Sequence, residues 1–511
     1  GTKERIFMNG EETNDESRAM AHIVTGPNGG TSYELPWLGK SAWENSVAAP
    51  NTGDKTVVGL LNDGTDGQVY FYIGTKTNTG TEIDKAGLNG GHPWAVKVTG
   101  FPVERVNSTT INPPPAPGTR FSLVDIGDVH SMTGAAFNTA TNTAGCTKFS
   151  RPEDGSWDPS HPNDFYFNTT DQLDQVNDGI GTQVGRSRVW RLRFDDITHP
   201  ELGGTVEAVI DGTEGINMLD NMTIDKYGHI IMQEDVGNAA HNGKMWQYTI
   251  ATDSLKMVAK HDPARFGDIG VAATLPFNVD EETSGIIDMQ DILGPGMFLS
   301  ADQAHYLIAG AAVEGGQLFS FFNPDTYNSF AQTAGSGPST TKTPYVIPTT
   351  PGAITKAVLT TQDTMSNGYM MAGIPDGLGA FDNGDGTFTL LMNHELTNSS
   401  GVTRAHGSIG AFVSKWKIRK SDLAVLSGSD LIQNVKLWNG TGYNTYNSSS
   451  PSTSAIFGRF CSADLPAFSA FYNATTGMGT QERIFMNGEE TNDESRAMAH
   501  IVTGPNGGTS Y

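Results

Sequence analysis

Apolar and polar residues alternate in short runs along most of the chain. Clear examples are KTVVGLL at 55–61, QVYFYIG at 68–74, RFSLVDIG at 120–127, GHIIMQED at 228–235 and TFTLLMNHEL at 387–396. Each run is bounded by Gly, Asp, Asn or Pro. A two-residue period between turn formers predicts strands and hairpins, and helical periodicity is scarce. One strand plan recurs: GQVYFYIG (67–74), SRVWRLRF (187–194), GKMWQYTI (243–250), GQLFSFFN (316–323) and GAFVSKWKI (410–418). A small or polar start leads into alternating apolar and aromatic residues. The starts, at 67, 187, 243, 316 and 410, are too unevenly spaced for a strict repeat. They suit the blades of an all-β propeller with long inter-strand insertions, with a large β-sandwich as the alternative.

The punctuation of the chain is unusual. NSFAQTAGSGPSTTKTP at 328–344 reads as a linker, rich in Ser, Thr, Gly and Pro. Strands resume beyond it, so 1–327 and 345–478 are expected to form one propeller in circularly shifted order. Residues 479–511 repeat 1–33, each position i matching i+478, with Lys3 against Gln481 the one difference. ERIFMNG and RAMAHIVT within the repeat are strand-like, and GPNGG is a turn. The copy at 479–511 is expected to be either an inter-subunit connecting hairpin or the start of a next repeat. Its apolar and aromatic positions Ile484, Phe485, Met498, Ile501 and Tyr511 are the expected assembly contacts. A hairpin of this kind can add to a sheet edge by backbone hydrogen bonding.

Composition narrows the partners. The formal net charge of −24 opposes nucleic acid, whose phosphates it would repel. It fits an extracellular protein, secreted or on a cell surface, or one that holds Ca²⁺ through carboxylates. Asn107, Asn168, Asn221, Asn398, Asn439, Asn447 and Asn473 head Asn-x-Ser/Thr triplets, so glycans are expected as possible modifications. There is no apolar run long enough for a transmembrane helix. The two cysteines, Cys146 and Cys461, form neither a disulfide framework nor a zinc motif, and both pairing and two thiols are open.

The candidate chemistry lies in carboxylates at strand ends. These are Glu11 and Glu12 in MNGEET, Glu44 in SAWENS, Asp63 in LLNDGT, Glu153 and Asp154 in SRPEDG, and Asp220 in LDNMTID. Glu234 and Asp235 in MQEDVG, Glu282 in EETSGII, and Asn393, His394 and Glu395 in MNHEL complete the set. Blade ends of a propeller converge on a central channel. Carboxylates gathered there repel one another unless a cation sits among them, and Ca²⁺ takes six to eight oxygens. For any one of them, a turn cap or surface charge is the plainer reading. DNGDG at 382–386 lacks the closing glutamate of an EF-hand loop and reads as a hairpin turn. Dinucleotide-binding, P-loop, serine-hydrolase and HExxH motifs are missing.

GLGAFDNGDGTFTLLMNHEL, FCSADLP, RIFMNGEET, LGKSAWENS, FSRPEDGSWDPS and DNMTIDKYGHIIMQED together resemble the PhoX-like alkaline phosphatases. The resemblance spans most of the chain when it is taken from 345 through 478 and on through 1–324. It implies a secreted six-bladed β-propeller that hydrolyses phosphate monoesters with iron and calcium in its channel. By that likeness Glu11, Glu12, Glu44, Glu153, Asn393 and Glu395 are metal ligands, and the strand-end carboxylates Asp63, Asp220 and Glu234 are expected to join them. Glu153, His394 and Arg151 are the catalytic candidates. Arg404 and His406 are further phosphate-binding candidates. Two departures bear on iron: Gly10 stands where the family has a cysteine, and Trp43 where it has a histidine. Glycine cannot replace a thiolate ligand. Calcium is therefore the expected cofactor, and iron would need a substitute thiolate such as Cys461.

Two functions follow as expectations. The first is a calcium-binding structural subunit that joins head to tail into a fibre, a homo-oligomer or a tandem array through the duplicated segment. The alternative is a secreted metal-dependent phosphatase of the PhoX type.

Overall fold

A computed structural model describes residues 2–10, 16–24, 26, 28, 31–107, 110–171, 186–237, 241–325, 334–488, 497–502 and 509–510. Glu11, Glu12 and Tyr511 lie outside the described residues, as do the side chains of Met498 and Ile501.

Five antiparallel meanders follow one another along the chain. The first runs Trp43–Ala48, Lys55–Asn62, Val69–Thr75, His92–Val98, and the second Pro152–Trp157, Asp164–Thr169, Arg188–Phe194, Gly204–Ile210. Thr119–Asp125 links the outer edges of these two. The third runs Leu219–Ile224, His229–Glu234, Lys244–Thr249, Ser254–His261. The fourth runs Glu282–Asp288, Met297–Ile308, Val313–Phe322, Ile354–Thr360, and the fifth Pro375–Asp382, Thr387–His394, Phe412–Arg419, Val425–Asp430. The fourth takes strands from both sides of 328–344. The opening strands of the meanders touch in sequence, and Pro375–Asp382 then meets Ala463–Asp464, which returns to Trp43–Ala48. That closed circuit makes the molecule an all-β propeller rather than a sandwich.

The recurring strand plan has a structural meaning. Val69–Thr75, Arg188–Phe194, Lys244–Thr249, Val313–Phe322 and Phe412–Arg419 are each the third strand of their meander. A third strand is packed on both faces. Val69 and Phe71 point into the core shared with the second meander, and Tyr70 and Tyr72 into the core on the other side. Trp416 and Ile418 face the core shared with the fourth meander, and Val413 the opposite one. Apolar cores therefore lie between neighbouring sheets, and burial on both faces selects near-continuous apolar and aromatic runs.

The opening strands must approach closely around the axis. A Cβ on Gly377 would sit 2.4 Å from Ala463 Cβ, and one on Gly285 would sit 2.8 Å from the Asp376 carbonyl oxygen. Only glycine leaves room there. The DNGDG segment is the hairpin turn between Pro375–Asp382 and Thr387–His394.

The surface bears on the glycan expectation. Asn107, Asn398 and Asn439 are exposed, whereas Asn168 and Asn221 are buried on strands. Neither cysteine is in a disulfide, and both are buried.

Candidate metal centre

Each meander opens with a carboxylate at the same end of its first strand. Glu44, Glu153, Asp220, Glu282 and Asp376 are the first or second residues of those five strands. The circuit of strands brings all five to one cavity of about 300 Å³. Asp235 and Glu395 join them, each following directly on the second strand of its meander. Arg151, Arg459 and Cys461 complete the polar lining.

Within the cavity the donors fall into two clusters. Glu44, Glu153 and Asp220 have ligand atoms all within 4.8 Å of one another, and so do Asp376, Glu395 and Cys461. The first cluster is all oxygen, which suits a hard cation such as Ca²⁺. The second adds a thiol to two carboxylates, a set that also suits a softer transition metal. Asp376 Oδ1 is buried without a hydrogen-bond partner, which leaves it open to a cation. The donor set fits a metal ion.

The cavity holds seven carboxylates against two guanidiniums. Arg151 Nη2 lies 2.8 Å from Asp63 and 3.0 Å from Glu153, and Arg459 pairs with Glu395. Arg151 has a φ of +57°, a left-handed conformation unusual outside glycine, directly before Pro152. Backbone strain of this kind is maintained by surrounding contacts and gathers at functional sites. Gln303 Nε2 donates to Glu395 at 2.7 Å, and the Ser462 hydroxyl donates to Glu44 at 2.6 Å.

The surplus negative charge shows in proton affinity. Burial first, and then Glu153, Glu282 and Glu44, push Asp220 well above the usual carboxylate range. Burial and then Glu395, Glu282 and Glu44 do the same to Asp376. Glu153 is also raised well above its ordinary value by burial, against the pull of Arg151. Glu282 is raised to about 7 by burial and Asp235. Burial and crowding favour the protonated forms of these groups, and a cation among them would favour the charged forms.

Of the residues expected from sequence, the cavity gathers Glu44, Arg151, Glu153, Asp220 and Glu395. Asp63 stands behind Arg151 as its ion-pair partner. Glu234 does not line the cavity: its oxygens accept from Asn217 N, Lys244 N and Trp246 Nε1. Asn393 is also set back and donates to the Cys461 carbonyl. His394 makes two hydrogen bonds of 2.9 Å, with the Gly373 carbonyl and the Ser414 hydroxyl, and stacks on Phe412. Burial lowers it to about 3, so it is a neutral ring away from the cavity. Arg404 lies over the Phe412 ring, and neither it nor His406 lines the cavity.

Sequence reasoning missed Asp376 and Arg459, and it counted Asp235 and Glu282 among the strand-end carboxylates without naming them as metal ligands. The signal for three of them was positional: a carboxylate at the first two positions of each opening strand, or just after a second strand.

The comparisons with known proteins bear on this geometry. Residues 28–268 match the family of alkaline phosphatase PhoX. The PhoX match takes in the opening strands that carry Glu44, Glu153 and Asp220. Among solved structures, Pseudomonas fluorescens PhoX in complex with vanadate, a transition state analogue, is similar at 16% identity and a TM-score of 0.39. That similarity covers 53% of this chain and 50% of that one, so the chain spans about half the length of that PhoX structure. A putative 6-phosphogluconolactonase from Bacteroides uniformis is similar at 10% identity and a TM-score of 0.36, over 84% of this chain and 95% of its own. The periplasmic gluconolactonase PpgL of Pseudomonas aeruginosa follows at 8% and 0.35, over 88% and 98%. No curated protein matches. The PhoX match favours the phosphatase expectation over the fibre subunit. No described helix is long and apolar enough to cross a membrane.

Proposed function

We propose that this PhoX-like propeller is a secreted, metal-dependent phosphate monoester hydrolase whose site is the channel cavity. The observation that carries the reading is the convergence of carboxylates from five successive opening strands, three of them within the PhoX match. Glu44, Glu153 and Asp220 would hold calcium. Asp376, Glu395 and Cys461 would hold calcium or iron, with Cys461 in the role of the thiolate missing at Gly10. A bound cation supplies Lewis-acid polarisation of a phosphoryl oxygen and charge neutralisation.

The chain's own residues do the rest. Arg151 and Arg459 are the guanidiniums of the cavity, suited to a phosphate by charge-assisted hydrogen bonds. Their ion pairs with Glu153 and Glu395 hold them in place before substrate arrives, which reduces the reorganisation that binding requires.

The test is metal analysis of purified protein together with hydrolysis of an aryl phosphate monoester. Calcium, with or without iron, and turnover abolished by a chelator are the expected results. Protein loaded with metal but inert toward phosphate monoesters would sink the phosphatase reading and leave a metal-binding propeller.

A further inference from the structure

Behind the cavity, one uncharged side chain grips two of its carboxylates at once. Gln303 is completely buried. On one side it lies opposite Glu282 in the antiparallel register of the fourth meander, and on the other opposite Gly316. Regular pairing breaks beyond it, before Leu307. From that position its amide reaches out of its own sheet. Nε2 donates to Glu395 Oε2 at 2.7 Å, and to Glu282 Oε1 and Ser284 Oγ at 3.3 Å each. Glu395 follows the second strand of the fifth meander, so one amide ties two neighbouring sheets beside the cavity.

The partners fix the orientation of that amide. An ionised carboxylate only accepts hydrogen bonds, so the amide must turn its N–H groups, not its oxygen, toward Glu282 and Glu395. Its own Oε1 is buried with no hydrogen-bond partner among the described residues. Both N–H groups are thus spent on the carboxylates and Ser284, in the stronger, charge-assisted kind of bond. The other oxygen of Glu395 is engaged as well. Arg459 pairs with Oε1, and Cys461 Sγ stands 3.6 Å from it. Glu395 is therefore held at both oxygens and cannot turn without breaking contacts. Glu282 belongs to neither donor cluster, and its charge and that of Glu395 repel. An N–H donor between the two offsets that repulsion without bringing a charge of its own.

We propose that Gln303 is a positioning residue of the metal centre: it orients Glu395 as a ligand beside Asp376 and Cys461, and it holds Glu282 apart from that cluster. A partner that hydrogen-bonds a ligating carboxylate from behind fixes its direction, and loss of such a partner costs about 10–100-fold in metal affinity. The inference rests on the reading of the cavity as a metal centre, whatever reaction takes place there.

Metal-stripped, full-length protein tests it. Cobalt(II) is titrated in and followed by its thiolate charge-transfer absorption, which reports coordination by Cys461. Calcium binding is then measured by calorimetry with cobalt in place. Gln303→Met keeps the length of the side chain and removes its donors. The expected result is a loss of about 10–100-fold in cobalt affinity, with the absorption band retained and calcium affinity little changed. Gln303→Asn stops one methylene short of Glu395 and should lose cobalt affinity likewise. It keeps a buried amide, and so covers the case in which the methionine variant does not fold. A loss shared equally by cobalt and calcium would make Gln303 a support of the fold alone and overturn the proposal. Unchanged cobalt affinity in the variants would overturn it too. No thiolate band from the unsubstituted chain would sink the metal assignment of the cluster itself, and this inference with it.

Discussion

At the scale of single residues, the two members of an adjacent pair divide between structure and site. Glu234 ends a strand and is spent on Asn217, Lys244 and Trp246, while its neighbour Asp235 lines the cavity. Successive residues of a strand point to opposite faces, so only one of the two can reach the axis. Glu44, Glu153, Asp220 and Glu395 were legible because a carboxylate between a turn and an apolar strand has few partners nearby in sequence. Asp376 and Arg459 were not, and Cys461 was legible only as a substitute thiolate, because their roles come from meeting residues of other sheets. Glu153→Gln removes one donor from the oxygen cluster and the partner that positions Arg151. Phosphatase turnover should fall by about 100-fold or more, with loss of bound calcium measured by elemental analysis. Cys461→Ser should remove any transition metal and leave calcium bound, because a hydroxyl is a poor soft ligand.

Elements are where the sequence was most readable. The five recurring strands all proved to be third strands, and their shared plan reflects shared packing between two cores. The opening strands carried a weaker signal. They hold glycines and polar residues, as in PEDGSW and PDGLGA, since crowding at the axis rather than apolar burial governs them. Gly377→Val tests that crowding. Its side chain would meet Ala463, and chemical denaturation should show a loss of about 1–3 kcal/mol, the usual cost of overpacking. An unchanged midpoint would mean that the opening strands have slack.

For the whole molecule, the cavity couples five sheets through mutual repulsion, so metal and stability should be linked. Glu282 has its affinity for protons raised from the ordinary carboxylate value to about 7, and Asp220, Asp235 and Asp376 are raised too. A group raised in the folded state adds stability that is complete below its unfolded pKa and is lost as pH rises through the folded one. Metal-free protein should therefore lose melting temperature between about pH 4.5 and pH 7 and above. Calcium should remove that dependence, adding about 2.7 kcal/mol per site at a hundred times its Kd. Calorimetry with and without chelator reads both, and a flat metal-free profile would contradict the crowded-carboxylate account. Glycans are likewise a property of the folded surface: in a glycosylating host Asn398 and Asn439 should be modified, and buried Asn168 and Asn221 should not, as peptide mass spectrometry would show.

The sequence by itself determined the strand-rich architecture, the recurrence of the third strand and the presence of two copies of one segment. Period-two patterning, turn residues and identity are local properties, and local physics suffices to read them. The tertiary structure decided which carboxylates share a cavity and that Cys461 joins Asp376 and Glu395. Those facts depend on closing the circuit of opening strands, which places residues hundreds of positions apart within a few ångströms of one another.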